Sequence, residues 1–255
     1  MPETGSALDG DQNQGVQTTQ SGWCGSTRWI EIGLAAQEGQ PGAAEAMEDL
    51  CRQYWPAVYA YIRRRGHEPA AAEDLTQSFI SGFLVPKKLA GLDESKGRFR
   101  SFLLVSLKNF ISNEWNRTQA QKRGGGRTEV SLDALAAEEA YCVAAPDLSP
   151  DALYDKRWAL ALLRQAVAHL ESEEKKEGRG AAFKRLQVFL TADGLDDNYD
   201  AAGRELGLTR DAVAMAVHRL RRRFREALRK QIAATVKPEQ VEEEMRCLLT
   251  ALRQR

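Results

Sequence analysis

Apolar residues recur every three or four positions along most of the chain, and no run alternates convincingly with the period of two expected of a half-buried strand. Leu50, Tyr54, Val58 and Ile62 mark one helical face. Arg63, Arg64 and Arg65 before Gly66 give that helix its stop, because bases in a last turn followed by glycine close a helix. Leu75, Phe79 and Phe83 step by four along a second helix that opens near Pro69 and ends before Pro86. A third spans about 99–121, with Phe99, Phe102, Leu103, Leu107, Phe110 and Ile111 on one side; Arg100, Lys108, Asn109, Asn113, Asn116 and Arg117 fall largely elsewhere. Leu153, Trp158, Leu162, Leu163, Val167 and Leu170 predict a helix opening near Asp151. Two later helices are parted by Gly207, Leu208 and Thr209, and a short acidic helix follows Pro238.

The pattern predicts an all-α fold of two small helical domains joined by an acidic flexible linker. Residues 1–25, rich in Gly, Gln, Ser, Thr and Asp, read as a disordered tail. The first helical domain covers 26–123, and Gly124, Gly125 and Gly126 close it. The linker covers 124–150 and the second helical domain 151–236. The acidic C-terminal helix falls in 237–255.

Charge changes the picture only through its distribution. The 36 Lys and Arg residues balance 36 Asp and Glu residues. Residues 96–127 nevertheless hold eight bases and one acid, 129–155 hold seven acids and no base, and 204–230 hold nine bases and three acids. Two basic segments flanking an acidic one suit two polyanion-binding surfaces with a spacer that stays off them. Cys24, Cys51, Cys142 and Cys247 are scattered, without Cys-x-x-Cys or a Cys/His cluster, which argues against a zinc site or a disulfide framework and fits a reducing cytosol. The N-terminus has neither the basic start nor the apolar run of a signal peptide, and no stretch approaches the roughly 20 apolar residues of a membrane span. A cytoplasmic protein without membrane insertion is expected.

The strongest motif is 199–220, YDAAGRELGLTRDAVAMAVHRL. A helix-turn-helix needs a small residue where its helices cross, a turn residue tolerant of positive φ, and apolar residues that lock the pair. Gly203 supplies the first and Gly207 the second. Ala202, Leu206, Leu208, Val213, Val217 and Leu220 supply the third. Thr209 is a natural N-cap, and Asp211 in the following turn suits the helix dipole. The second helix would present Arg210, Asp211, Ala214, Met215 and His218 to base edges, with Arg219, Arg221 and Arg222 beside them and further arginines beyond holding phosphates. A helical hairpin with a merely basic exposed face is the plainer alternative.

Read beside that motif, the first domain resembles a known family. Glu73, Asp74, Leu75, Thr76, Gln77, Ser78 and Phe79 resemble the polymerase-docking helix of bacterial sigma factors. Gly97 to Leu103, leading through Asn109 to Trp115, Asn116 and Arg117, is similar to their promoter-melting segment. The order of these motifs, then a linker, then a terminal helix-turn-helix, resembles the extracytoplasmic-function (ECF) group over about residues 26–236. The resemblance implies that Asp74, Leu75, Gln77, Ser78 and Phe79 form a docking helix for RNA polymerase core. It implies that Arg98, Arg100, Lys108, Arg117, Lys122 and Arg123 neutralise phosphates of opened promoter DNA. Asn109, Asn113 and Asn116 could then bond base edges, and Trp115 could stack on an unpaired base, unless it packs in the core. Acids of the linker (Glu129, Asp133, Glu138, Glu139 and Asp147) would mimic nucleic acid in the polymerase channel, or simply keep the spacer soluble. An anti-sigma inhibitor protein is a partner that the family allows. Phe102 stands where common members carry Trp, and Ala214 where a polar contact is frequent, so promoter preference is expected to differ.

The implied activity is binding. No Ser/His/acid set, phosphate-cradling glycine loop or metal cluster is evident, so no catalytic residue, metal or cofactor is expected. The rival reading is a one-component helix-turn-helix regulator, which would dimerise and bind duplex DNA unaided.

Overall fold

The computed structural model describes residues 30–37, 39–92, 97–120, 138, 141, 147–190 and 199–254, with the backbone alone for 30, 31 and 117–120. The described residues form α-helices and short 3-10 turns without a strand. The front half contains α1 (Ile30–Ala35), α2 (Ala43–Arg64), α3 (Pro69–Phe83), α4 (Pro86–Leu89) and α5 (Phe99–Ala120). The rear half contains α6 (Pro150–Lys176), α7 (Gly180–Leu186), α8 (Tyr199–Leu206), α9 (Arg210–Ala233) and α10 (Val241–Arg253). The expected tail at 1–25, Cys24, Cys142 and most of the linker lie outside the described residues.

Helix boundaries follow local chemistry. Pro69 and Pro86 open α3 and α4 at positions where the missing N–H would have no partner anyway. Ser149 caps α6, its hydroxyl accepting from the Ala152 N–H at 3.2 Å. The Arg63–Arg65 stop falls where expected, with Gly66 beyond it at φ 93°. The short α1, α4 and α7 are too brief for periodicity to signal them.

Helix α2 is the central column. Leu50, Tyr54, Val58 and Ile62 are wholly buried, and Tyr54 meets Phe99 of α5 edge to face at 5.3 Å. The most extensive packing in the molecule is between α2 and α6. They run antiparallel: Gln165 donates to the Asp49 carbonyl at 3.0 Å at one end, while Tyr61 and Asp151 line one hollow at the other. Trp158, Leu162 and Ala166 of α6 therefore join a core that continues through Phe99, Leu103 and Leu107 in front and Val213, Val217 and Phe224 behind. Burying a side chain of this size is worth about 1.5–3 kcal/mol, so the shared core binds the halves strongly in this conformation. Helix α10 closes the assembly against α6 and α9, with Leu248 and Ala251 inward.

Candidate nucleic-acid interface

Helix α3 turns a polar stripe outward and an aromatic side inward. Asp74, Gln77 and Ser78 are exposed, Phe79 is buried and Leu75 half-buried. Phe79 is fixed between Phe83 and Phe110, at centroid distances of 5.3 and 5.4 Å, so the polar stripe is held on a rigid aromatic base. Thr76 is buried and donates its hydroxyl proton to the Ala72 carbonyl at 2.6 Å, which removes it from the exposed stripe.

Helix α5 turns Phe99, Leu103, Leu107 and Ile111 inward, with Phe102 and Phe110 half-buried. On its outer side Val105, Asn109, Asn113 and Asn116 fall at successive steps of four, four and three, all exposed. Trp115 is 63 % exposed beside them, which answers the question of its packing: it is not in the core. Three amide side chains and an open indole ring on one helix can bond and stack on unpaired bases.

Two cations of this segment, Arg98 and Arg100, are placed differently from expectation. Arg100 is only 8 % exposed and is corrected from surface to interior. Its Nε donates to Glu244 Oε1 at 2.8 Å, Nη1 reaches Asp155, and the guanidinium lies over the Trp158 ring at 4.6 Å. Burial works against that charge, but the bonds to Glu244 and the nearby Asp155 outweigh it and raise the Arg100 pKa above its ordinary value. Arg98 pairs with Glu243 at 2.5 Å and Glu244 at 3.4 Å. Lys108 remains at the surface, its ammonium 2.6 Å from Asp151, whose carboxylate holds the lysine pKa above the usual range. The side chain of Arg117, and Lys122 and Arg123 entirely, lie outside the described residues.

Helices α8 and α9, which carry the 199–220 motif, meet at a turn built as its glycines require. A Cβ on Gly203 would stand 2.6 Å from the Leu208 carbonyl oxygen, so only glycine lets α8 approach the turn this closely. Gly207 adopts φ 67°, a left-handed conformation that side chains disfavour. The Thr209 hydroxyl accepts from the Ala212 N–H at 3.2 Å and starts α9. Val213, Val217 and Leu220 face the core. Asp211, Met215, His218 and Arg222 form one outward stripe that continues to Arg225; Arg210 and Arg219 are exposed beside it and Ala214 is half-buried.

Not every arginine of the run is on that stripe. Arg221 is half-buried and donates through Nε to the Phe189 carbonyl at 3.0 Å. Arg223 turns to α6, 2.9 Å from Glu173 and bonded to Glu174. Arg225, the last arginine of the run, is exposed and extends the stripe three positions beyond Arg222.

Of the linker acids, Glu138 binds α2: Tyr59 donates to it at 2.6 Å and Arg63 at 2.7 and 2.8 Å. Asp147 is exposed, and Glu129, Asp133 and Glu139 lie outside the described residues. Among the described residues no group of three His, Cys, Asp or Glu could hold a metal ion, and no helix is long and apolar enough to cross a membrane. The partners of Arg98 and Arg100 on α10 were not foreseen, because a sequence separation of 144 residues between Arg100 and Glu244 leaves no local signal.

Among curated proteins and solved structures nothing matches the chain. Residues 50–121 match the family Sigma-70 region 2. The match begins within α2, covers α3 and α4, and runs to the end of α5, so it contains both the exposed polar stripe of α3 and the amide-rich face of α5. This stretch is similar to Sigma-70 region 2 and supports a sigma factor of the sigma-70 family.

Proposed function

We propose that the chain is a sigma factor of the ECF group, working in the cytoplasm as a subunit that RNA polymerase core borrows for initiation. Helix α3 docks on the core enzyme through Asp74, Gln77 and Ser78. Helix α5 takes up unpaired promoter bases along Asn109, Asn113, Trp115 and Asn116. Helices α8 and α9 grip closed duplex in the major groove, with Asp211, Met215 and His218 toward base edges and Arg219, Arg222 and Arg225 toward phosphates. Polymerase does the chemistry. An anti-sigma inhibitor would act by covering the docking or melting face.

The observation that carries this reading is the match of 50–121 to Sigma-70 region 2. The capped helix-turn-helix supports the DNA-holding half. Run-off transcription with purified bacterial core polymerase tests the whole. New promoter-specific transcripts are expected. Asp74→Ala with Gln77→Ala should reduce association with core and leave duplex binding intact. Arg222→Ala with Arg225→Ala should weaken duplex binding at every sequence and lower the slope of log affinity against log salt by roughly 2, as two lost phosphate contacts do. A chain that dimerises, binds duplex alone and never associates with core would instead be a one-component regulator.

A further inference from the structure

Three cations of the basic front segment are met by carboxylates of the rear half. Glu243 and Glu244 of α10 take Arg98 at 2.5 and 3.4 Å. Glu244, with 1 % of its side chain exposed, also takes Arg100 at 2.8 Å, and Asp155 of α6 completes that shell. Asp151 takes Lys108 at 2.6 Å. At the same junction the Phe99 N–H donates to the Thr235 carbonyl at 3.4 Å, and the Tyr154 hydroxyl donates to the Arg100 carbonyl at 3.2 Å. The first turn of α5 is thus tied to the rear half by main chain and side chains together.

Adjacent carboxylates facing a pair of guanidinium groups offer the oxygen acceptors that a nucleic-acid phosphate would offer. A guanidinium has a fixed fork of donors, so Arg98 and Arg100 can serve a phosphate only after releasing these acids. The pairs are graded: Glu243 is 56 % exposed and screened by water, while Glu244 is shut in. Such a set opens from its outer edge inward.

We propose that α10 is an intramolecular latch: Glu243 and Glu244, with Asp155, occupy Arg98 and Arg100 in the free chain, and binding to RNA polymerase core releases them. The latch rests on the sigma reading above. It gives the C-terminal extension a role, withholding two cations of the melting segment until the enzyme is present. The base-facing stripe of α5 is exposed in the latched state; what the latch controls is the backbone grip at the start of that helix.

Cys247 is a native reporter, half-buried on α10 with its Sγ 3.7 Å from Arg98 Nη1. The full chain with Cys24, Cys51 and Cys142 changed to Ser is treated with N-ethylmaleimide, and modification is read on the chain's own band. Free chain should react slowly. Addition of core polymerase should accelerate labelling at least roughly tenfold, as release of a locally protected site does. Glu243→Gln with Glu244→Gln should accelerate it without polymerase, with helical circular dichroism retained. Glu243→Gln alone, at an exposed position, gives a smaller rise and keeps the test readable if the double variant does not fold. Unchanged labelling in a complex that co-migrates with core overturns the latch and leaves the sigma reading standing. Failure to co-migrate at all overturns the sigma reading, and with it the release step.

Discussion

Gly203 and Gly82 show how far one residue's meaning depends on what surrounds it. Both are helical glycines, and helix propensity alone treats them alike. At Gly203 a Cβ would press on the Leu208 backbone oxygen at 2.6 Å; at Gly82 it would meet nothing within 4 Å. Gly203→Ala should therefore destabilise by about 1–3 kcal/mol, the usual cost of forcing an atom into a filled space. Gly82→Ala should stabilise by about 0.4–1 kcal/mol through the unfolded chain. Urea denaturation of the two variants checks the opposite signs, and equal shifts would remove the steric account of the turn. Gly203 was identifiable from its place in the helix-turn-helix motif. Arg98 and Arg100 were identifiable as cations, but their carboxylate partners on another helix were not, because pairing across 144 or 145 positions is fixed by packing alone.

At the scale of the element, periodicity and punctuation sufficed wherever a helix was long. The stop before Gly66, the start at Pro69, and the cap at Thr209 each pair a backbone requirement with a residue type that meets it. The prediction at this scale concerns α9, which on the proposed reading enters a groove with its first turns in order. Thr209 supplies an acceptor to the Ala212 N–H, and its loss leaves that donor to water. Thr209→Ala should cost about 0.5–2 kcal/mol of unfolding free energy and weaken duplex binding by fraying the end that holds Arg210 and Asp211. Thr209→Ser retains the acceptor and should restore most of both quantities. Denaturation and duplex titration of the pair of variants measure this, and a serine variant as impaired as the alanine one would refute capping. The same outlook explains what was missed: α1 and α4 hold 6 and 4 residues, too few for a period of 3.6 to repeat.

At the scale of the molecule, the charge pattern read from the chain suggested two basic surfaces kept apart by an acidic spacer. The folded chain uses much of that charge internally: Arg63 holds Glu138, Lys108 holds Asp151, and Arg98 and Arg100 hold the acids of α10. Beneath these pairs runs one apolar core, in which Trp158, 1 % exposed, sits below Arg100 and belongs to the same cluster as Tyr54 and Phe99 of the front half and Phe224 of the rear. A core shared in this way couples the stabilities of the halves, since neither buries its apolar face alone. The free chain should therefore unfold in one step. Exposure of Cys51 on α2 and of Cys247 on α10, each followed by thiol reactivity across a urea series, should share a midpoint with the loss of helical circular dichroism. Trp158→Ala, which empties a large volume in the shared cluster, should lower both thiol midpoints together by an amount corresponding to about 3–5 kcal/mol. Independent domains would respond otherwise: Cys247 would shift with the rear half while Cys51 kept its place. Coincident midpoints that move together would also bear on the proposed latch, because releasing Arg98 and Arg100 from α10 would then work against a core shared by both halves.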